Sequence, residues 1–167
     1  MSSSPWRVGV GSDDIGKPLK DHVLAELGAD ARVGSLRDYS DEFAKDSPYP
    51  AVALRVAEAI AAGEIDRGIL VCGTGIGMSI AANKVRGVRA AVVHDGYSAE
   101  RSVLSNNCQI MTLGSRVIAP VAASRLVQEW LGYRFDETSS SAAKVRVIEI
   151  YEAASTLGGG HGLPAPG

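Results

Sequence analysis

The chain is predicted to fold as a three-layer α/β domain of Rossmann-like type around a five-stranded parallel sheet, and three observations lead there. Short apolar runs alternate with amphipathic stretches from residue 7 to residue 154, the pattern of strands joined by crossover helices. The run Gly68-Ile69-Leu70-Val71 is apolar without alternation, as a central parallel strand buried on both faces must be. Directly after it, Cys72-Gly73-Thr74-Gly75-Ile76-Gly77 breaks the strand into a glycine loop ahead of a helix.

Strands are expected at residues 7–11, 32–35, 68–71, 88–93 and 110–113, the second of them weakly patterned. A helix over 18–27 sets Leu19, Val23, Leu24 and Leu27 on one face, and one over 51–62 does the same with Leu54, Val56 and Ile60. Further helices are expected over 77–84, 96–104, 121–131 and 142–154. The polar, acidic segment 36–50, ending Ser47-Pro48-Tyr49-Pro50, reads as a long loop, a common seat of function. Residues 1–157 form a single domain on this reading, and the glycine- and proline-rich segment 158–167 a mobile tail.

The 167 residues are 46% hydrophobic and 22% charged with a net charge of −2, which describes an ordinary globule and argues against a nucleic-acid partner. Neither Cys72 nor Cys108 belongs to a CxxC or Cys/His cluster, so no metal and no disulfide framework is expected. The first residues hold no apolar core of signal-peptide length and no run approaches membrane-spanning length; a cytoplasmic location away from membranes is expected.

Ligands of open parallel sheets bind beyond the carboxyl ends of the strands. Those ends lead here into Ser12-Asp13-Asp14-Ile15-Gly16, the Cys72 loop, His94-Asp95-Gly96 and Gly114-Ser115-Arg116. A thiol ahead of a helix N-terminus meets unpaired N–H groups and the positive end of the helix dipole, which favour a thiolate and an oxyanion. The plain alternative is a small buried Cys72 with no chemistry, Asp13, Asp14 and Asp95 as helix caps, and Arg116 as a solvated loop residue. Nucleotide fingerprints fail: residues 73–77 read GxGxG after the third strand, Asp14 stands where a third glycine would be needed after the first, and no GxxxxGK[ST] occurs.

The string Cys72-Gly73-Thr74-Gly75-Ile76-Gly77 with Ala81-Ala82-Asn83-Lys84 resembles the type B ribose 5-phosphate isomerases and the related galactose 6-phosphate isomerase subunits. So do Gly11-Ser12-Asp13, Gly16, Leu19-Lys20, Tyr49-Pro50, Gly87, Arg89, Tyr97-Ser98-Ala99, Asn106-Asn107 and Gly114-Ser115-Arg116, over residues 7–155. The resemblance implies an aldose-ketose isomerase working through an enediolate without metal or organic cofactor. It implies Cys72 as the base, with Gly73, Gly75, Ile76 and Gly77 presenting backbone donors to the enediolate and Thr74 assisting proton transfer between oxygens. It further implies that Asp13 and Tyr49 line the sugar site, that Asn106 touches substrate hydroxyls and that Arg116 meets the phosphate. A homodimer or dimer of dimers with shared active sites comes with it.

Three departures from the family pattern bear on the substrate. The usual Asp-His after the first strand is Asp13-Asp14, the histidine credited with opening the furanose ring is Ser105, and the phosphate-binding arginine pair falls on Ser140 and Lys144, with Arg146 nearby. A serine hydroxyl accepts a proton poorly near neutral pH, so ring opening loses its catalyst, unless His94 replaces it. A tetrose 4-phosphate needs no such step, because the oxygen that would close its furanose carries the phosphate. D-Erythrulose 4-phosphate and D-erythrose 4-phosphate are therefore the expected pair. Ribose 5-phosphate or a hexose 6-phosphate is the alternative substrate, and a non-catalytic sugar-phosphate sensor is the alternative from another class.

Overall fold

The computed structural model describes residues 4–156. Five strands, β1 (Trp6–Ser12), β2 (Val33–Asp38), β3 (Arg67–Cys72), β4 (Ala90–Val92) and β5 (Ile110–Gly114), form one parallel sheet in the order β2-β1-β3-β5-β4. The helices are α1 (Lys17–Gly28), α2 (Tyr49–Ala61), α3 (Ile76–Ala82), α4 (Gly96–Leu104), α5 (Pro120–Trp130) and α6 (Ala142–Thr156). Strand order reverses between β1 and β3, so the crevice of a doubly wound sheet opens at their carboxyl ends.

Each face of the sheet has its own core. Val8, Val10, Ile69, Val71, Met111 and Leu113 pack beneath α1, α4 and α5, whereas Leu70, Cys72 and Ile110 pack beneath α2 and α3. The alternation of Ile69 and Val71 against Leu70 and Cys72 is the two-residue period of a strand with both faces covered. All six residues of β3 are buried, which explains why its sequence shows no polar alternation.

Two boundaries depart from expectation. The segment 36–50 is not one loop: β2 continues to Asp38, a 3₁₀ turn follows at Ser40–Glu42, and Tyr49 and Pro50 open α2. Proline there suits a first helical turn, whose N–H groups have no helical acceptor. Strand β4 is only three residues long, and at its amino end the Arg89 N–H is taken by Gln109 Oε1 at 2.8 Å. The amino edge of the sheet is closed by the buried Arg67, whose guanidinium lies 4.6 Å from the Trp6 ring centre and 4.7 Å from that of Trp130. The tail expected at 158–167 lies outside the described residues.

Candidate active site

Three loops interlock where β1, β3 and β5 end. Ser12 is in register with Val71, and Cys72 with Gly114, so the loops leave the sheet nearly level. A Cβ on Gly16 would sit 2.3 Å from the Val71 carbonyl oxygen, and one on Gly114 2.7 Å from Thr74 Cα; glycine alone permits both approaches. Backbone bonds then tie the loops: Ser115 N–H donates to Cys72 O at 2.8 Å and Arg116 N–H to Gly73 O at 3.1 Å. The Ser115 hydroxyl donates to Ile15 O at 3.1 Å.

Cys72 is the last residue of β3 and is 6% exposed, so the turn that follows covers the thiol. Gly75 adopts a left-handed conformation, φ 79°, which folds the chain back and lets its N–H donate to Cys72 Sγ at 3.1 Å. A side chain at Gly75 would also meet the Leu113 backbone at 3.0 Å. Ile76 N–H donates to Thr74 Oγ1 at 3.3 Å, which holds that hydroxyl at the lip of the loop. The N–H groups of Gly73 and Thr74 have no hydrogen-bond partner among the described residues. Tyr49 leans on the start of α3: a Cβ on Gly77 would lie 2.6 Å from three atoms of its phenol. The exposed Arg116 lies over Gly73, with Cδ 3.8 Å from the position a Cβ would take there.

Asp13 Oδ1 accepts the Gly16 N–H at 2.7 Å, so the carboxylate closes its own turn ahead of α1. Asp13 and Asp14 line a hollow of about 430 Å³ together with Ser12, Lys20, Ser40 and Ser47. Its floor is a network that the sequence reading missed. Lys20 is 3% exposed and pairs with Asp38, whose Oδ1 accepts the Ser40 N–H at 2.9 Å. Ser40 Oγ in turn accepts the Ser12 N–H at 2.8 Å, one residue before Asp13. Burial works against the Lys20 charge, yet bonds to Asp38 and Asp21 outweigh it and raise its pKa. The signal was present: Lys20 falls three residues before Val23 and seven before Leu27, on the buried stripe of α1.

Not every expected residue is here. Ser105 ends α4 and receives a 3.4 Å contact from the Arg101 guanidinium, while Asn106 Nδ2 donates to Arg101 O at 3.0 Å. Both precede the first residue of β5, whereas Cys72 pairs with its last, so the length of a strand, about 13 Å, separates them. Lys144 is exposed on α6, a helix entered from the amino edge, where Arg67 donates to Tyr133 O, and tied back there by Glu149 to Arg89 at 3.7 Å. Cys72, Thr74, Asp13, Asp14, Tyr49, Gly73, Gly75, Ile76, Gly77 and Arg116 thus share one end of the chain's fold, and Ser105, Asn106 and Lys144 the other. Among the described residues no three His, Cys, Asp or Glu side chains cluster to hold a metal ion, and no helix is long and apolar enough to cross a membrane.

Comparison with known proteins places most of the chain beside one group of enzymes. Residues 8–148 match the family model described as Ribose/Galactose Isomerase. D-Erythrulose-4-phosphate isomerase 2 of Mycolicibacterium smegmatis is 48% identical over 149 residues, 89% of this chain and 98% of that protein. D-Erythrulose-4-phosphate isomerase of Pectobacterium atrosepticum is 44% identical over 146 residues, 87% of this chain and 94% of that protein. The solved ribose-5-phosphate isomerase B of Clostridium thermocellum superposes with a TM-score of 0.82 at 39% identity, covering 89% of this chain and 99% of that one. The motif around Cys72, the parallel five-stranded sheet and these matches over most of the length converge on one assignment: the chain belongs to the ribose/galactose isomerase family.

Proposed function

We propose that this aldose-ketose isomerase interconverts D-erythrulose 4-phosphate and D-erythrose 4-phosphate through an enediolate, in sites completed by a second copy of the chain. The observation that carries the chemistry is the Cys72 thiol with the Gly75 N–H at 3.1 Å from Sγ and two open N–H groups, of Gly73 and Thr74, beside it. Starting from the ketose, the thiolate takes a proton from C1 and the C2 carbonyl oxygen gathers the charge. The open N–H groups stabilise that oxyanion as it forms, a contribution that grows in the transition state. Thr74 Oγ1 relays the O1 proton to O2, and the thiol returns its proton to C2, leaving an aldehyde at C1 with atoms and charge balanced. In this mechanism Arg116, over Gly73, meets the phosphate, and Tyr49 and Asp13 bound the carbon chain.

The four-carbon substrate follows from Ser105. With serine where the family's ring-opening histidine stands, a substrate that cannot close a ring is the one the site handles without loss. The second copy follows from the separation within one protomer, because Asn106 and Lys144 reach a Cys72 site only from a neighbouring chain. Exposed apolar residues on α3 (Ile76, Ile80) and α6 (Val147, Ile148, Ile150) offer it a surface to bury. The test is conversion in D₂O followed by NMR: erythrose 4-phosphate should accumulate from erythrulose 4-phosphate, with deuterium at C2 in the fraction of turnovers in which the thiol exchanges its proton with solvent before delivering it. No conversion of the tetrose, with turnover of ribose 5-phosphate, would return the protein to the pentose reading.

A further inference from the structure

Strand β4 pairs with β5 as far as Val92 opposite Thr112, and Val93 N–H still reaches Thr112 O at 3.1 Å. Beyond that point β4 turns into the loop before α4, and the last N–H of β5, that of Gly114, would lose its partner. It donates instead to His94 Nε2 at 2.8 Å. An imidazole nitrogen that accepts a hydrogen bond carries no proton, so this ring is the neutral Nδ1–H tautomer. Protonation would set N–H against N–H. Burial lowers the proton affinity of His94, against the opposing pull of Asp95.

Gly114 is the residue on which the catalytic loop rests. It pairs with Cys72 in the β3–β5 register, and its Cα faces Thr74 so closely that a Cβ would come within 2.7 Å of Thr74 Cα. The next residue, Ser115, gives its N–H to Cys72 O at 2.8 Å. We propose that His94 is a positioning residue for the isomerisation, a neutral acceptor that fixes Gly114 and through it the Cys72–Thr74 loop, and that it moves no proton in the reaction. This rests on the isomerase reading above. It also removes His94 as a stand-in for the missing ring-opening imidazole, since one nitrogen is held by Gly114 and the other already carries a proton.

Two substitutions separate acceptor from acid-base chemistry. Glutamine places an amide oxygen close to the position of Nε2 and can keep the Gly114 bond, but it cannot exchange protons at neutral pH. Leucine fills the space and leaves the Gly114 N–H unpaired. His94→Leu should lower kcat/KM about tenfold or more, since small misplacements of a catalytic loop are costly, whereas His94→Gln should stay within about threefold of the unmodified enzyme. Long-range ¹H–¹⁵N spectra read the tautomer without any substrate. The chain has three histidines, and the signal lost in His94→Gln identifies this one. A pyridine-type Nε2 with a pyrrole-type Nδ1 at neutral pH is expected. An imidazolium or an Nε2–H ring, His94→Gln as impaired as His94→Leu, or a fully active His94→Leu would each overturn the proposal. Should His94→Leu fail to fold, the spectra and the glutamine variant decide. A protein inactive on every sugar phosphate would end the isomerase reading, while the nitrogen shifts would still report on the Gly114 bond.

Discussion

Two thiols in one chain have opposite surroundings. Cys72 closes a strand at the sheet's carboxyl edge and receives the Gly75 N–H, while Cys108 lies behind the amino edge, where burial pushes its thiol up to about 11. On the proposed mechanism the cysteine of the glycine loop is the one that transfers the proton. Cys72→Ser should fold normally and lose about 10²- to 10⁴-fold in kcat, the usual contribution of an aligned base, in steady-state assays. Cys108→Ser, scored per folded enzyme, should keep turnover within about twofold. Near-normal turnover in Cys72→Ser would take the base away from this residue. The thiol's place was legible because a continuous apolar run followed by GTGIG marks a strand end without ambiguity. Its burial stood only as the alternative reading, since the covering turn depends on the left-handed Gly75.

Among the elements, α1 shows where pattern reading stops. Leu19, Val23 and Leu27 announced its buried stripe, whereas the pairing of Lys20 on the same stripe could not be read there, because only the fold brings Asp38 of β2 beneath it. Similarly, β2 was read three residues short: half its residues are exposed, and an edge strand so placed has no apolar run to mark its end. The Lys20–Asp38 pair fastens α1 to β2 and, through Ser40, steadies Ser12 beside Asp13. Lys20→Met should cost about 3 kcal/mol in urea unfolding, as expected when one member of a buried pair is left alone. It should also raise KM, through the loosened Asp13 turn. A loss below about 1 kcal/mol would place the pair among solvent-screened surface contacts.

At the scale of the molecule, helix direction explains the division of the candidate site between two ends. A helix that leaves the carboxyl end of a parallel strand returns to the amino end, so residues closing α4, such as Ser105 and Asn106, must lie far from residues closing β3. That separation was readable in principle from the βαβ order, although the residues themselves were identified by motif alone. It leads to a mixing experiment: Cys72→Ser and Asn106→Ala proteins, each nearly inactive, should regain up to about a quarter of normal activity when unfolded and refolded together, because mixed dimers hold one intact site of two. No recovery beyond the sum of the parts would argue for sites built from single chains. The substrate claim rests on Ser105, and the most direct measurement is kcat/KM for D-erythrulose 4-phosphate and for ribose 5-phosphate under identical conditions. The account predicts at least about tenfold preference for the tetrose, about 1.4 kcal/mol of transition-state discrimination. An equal or higher value for the pentose would contradict it.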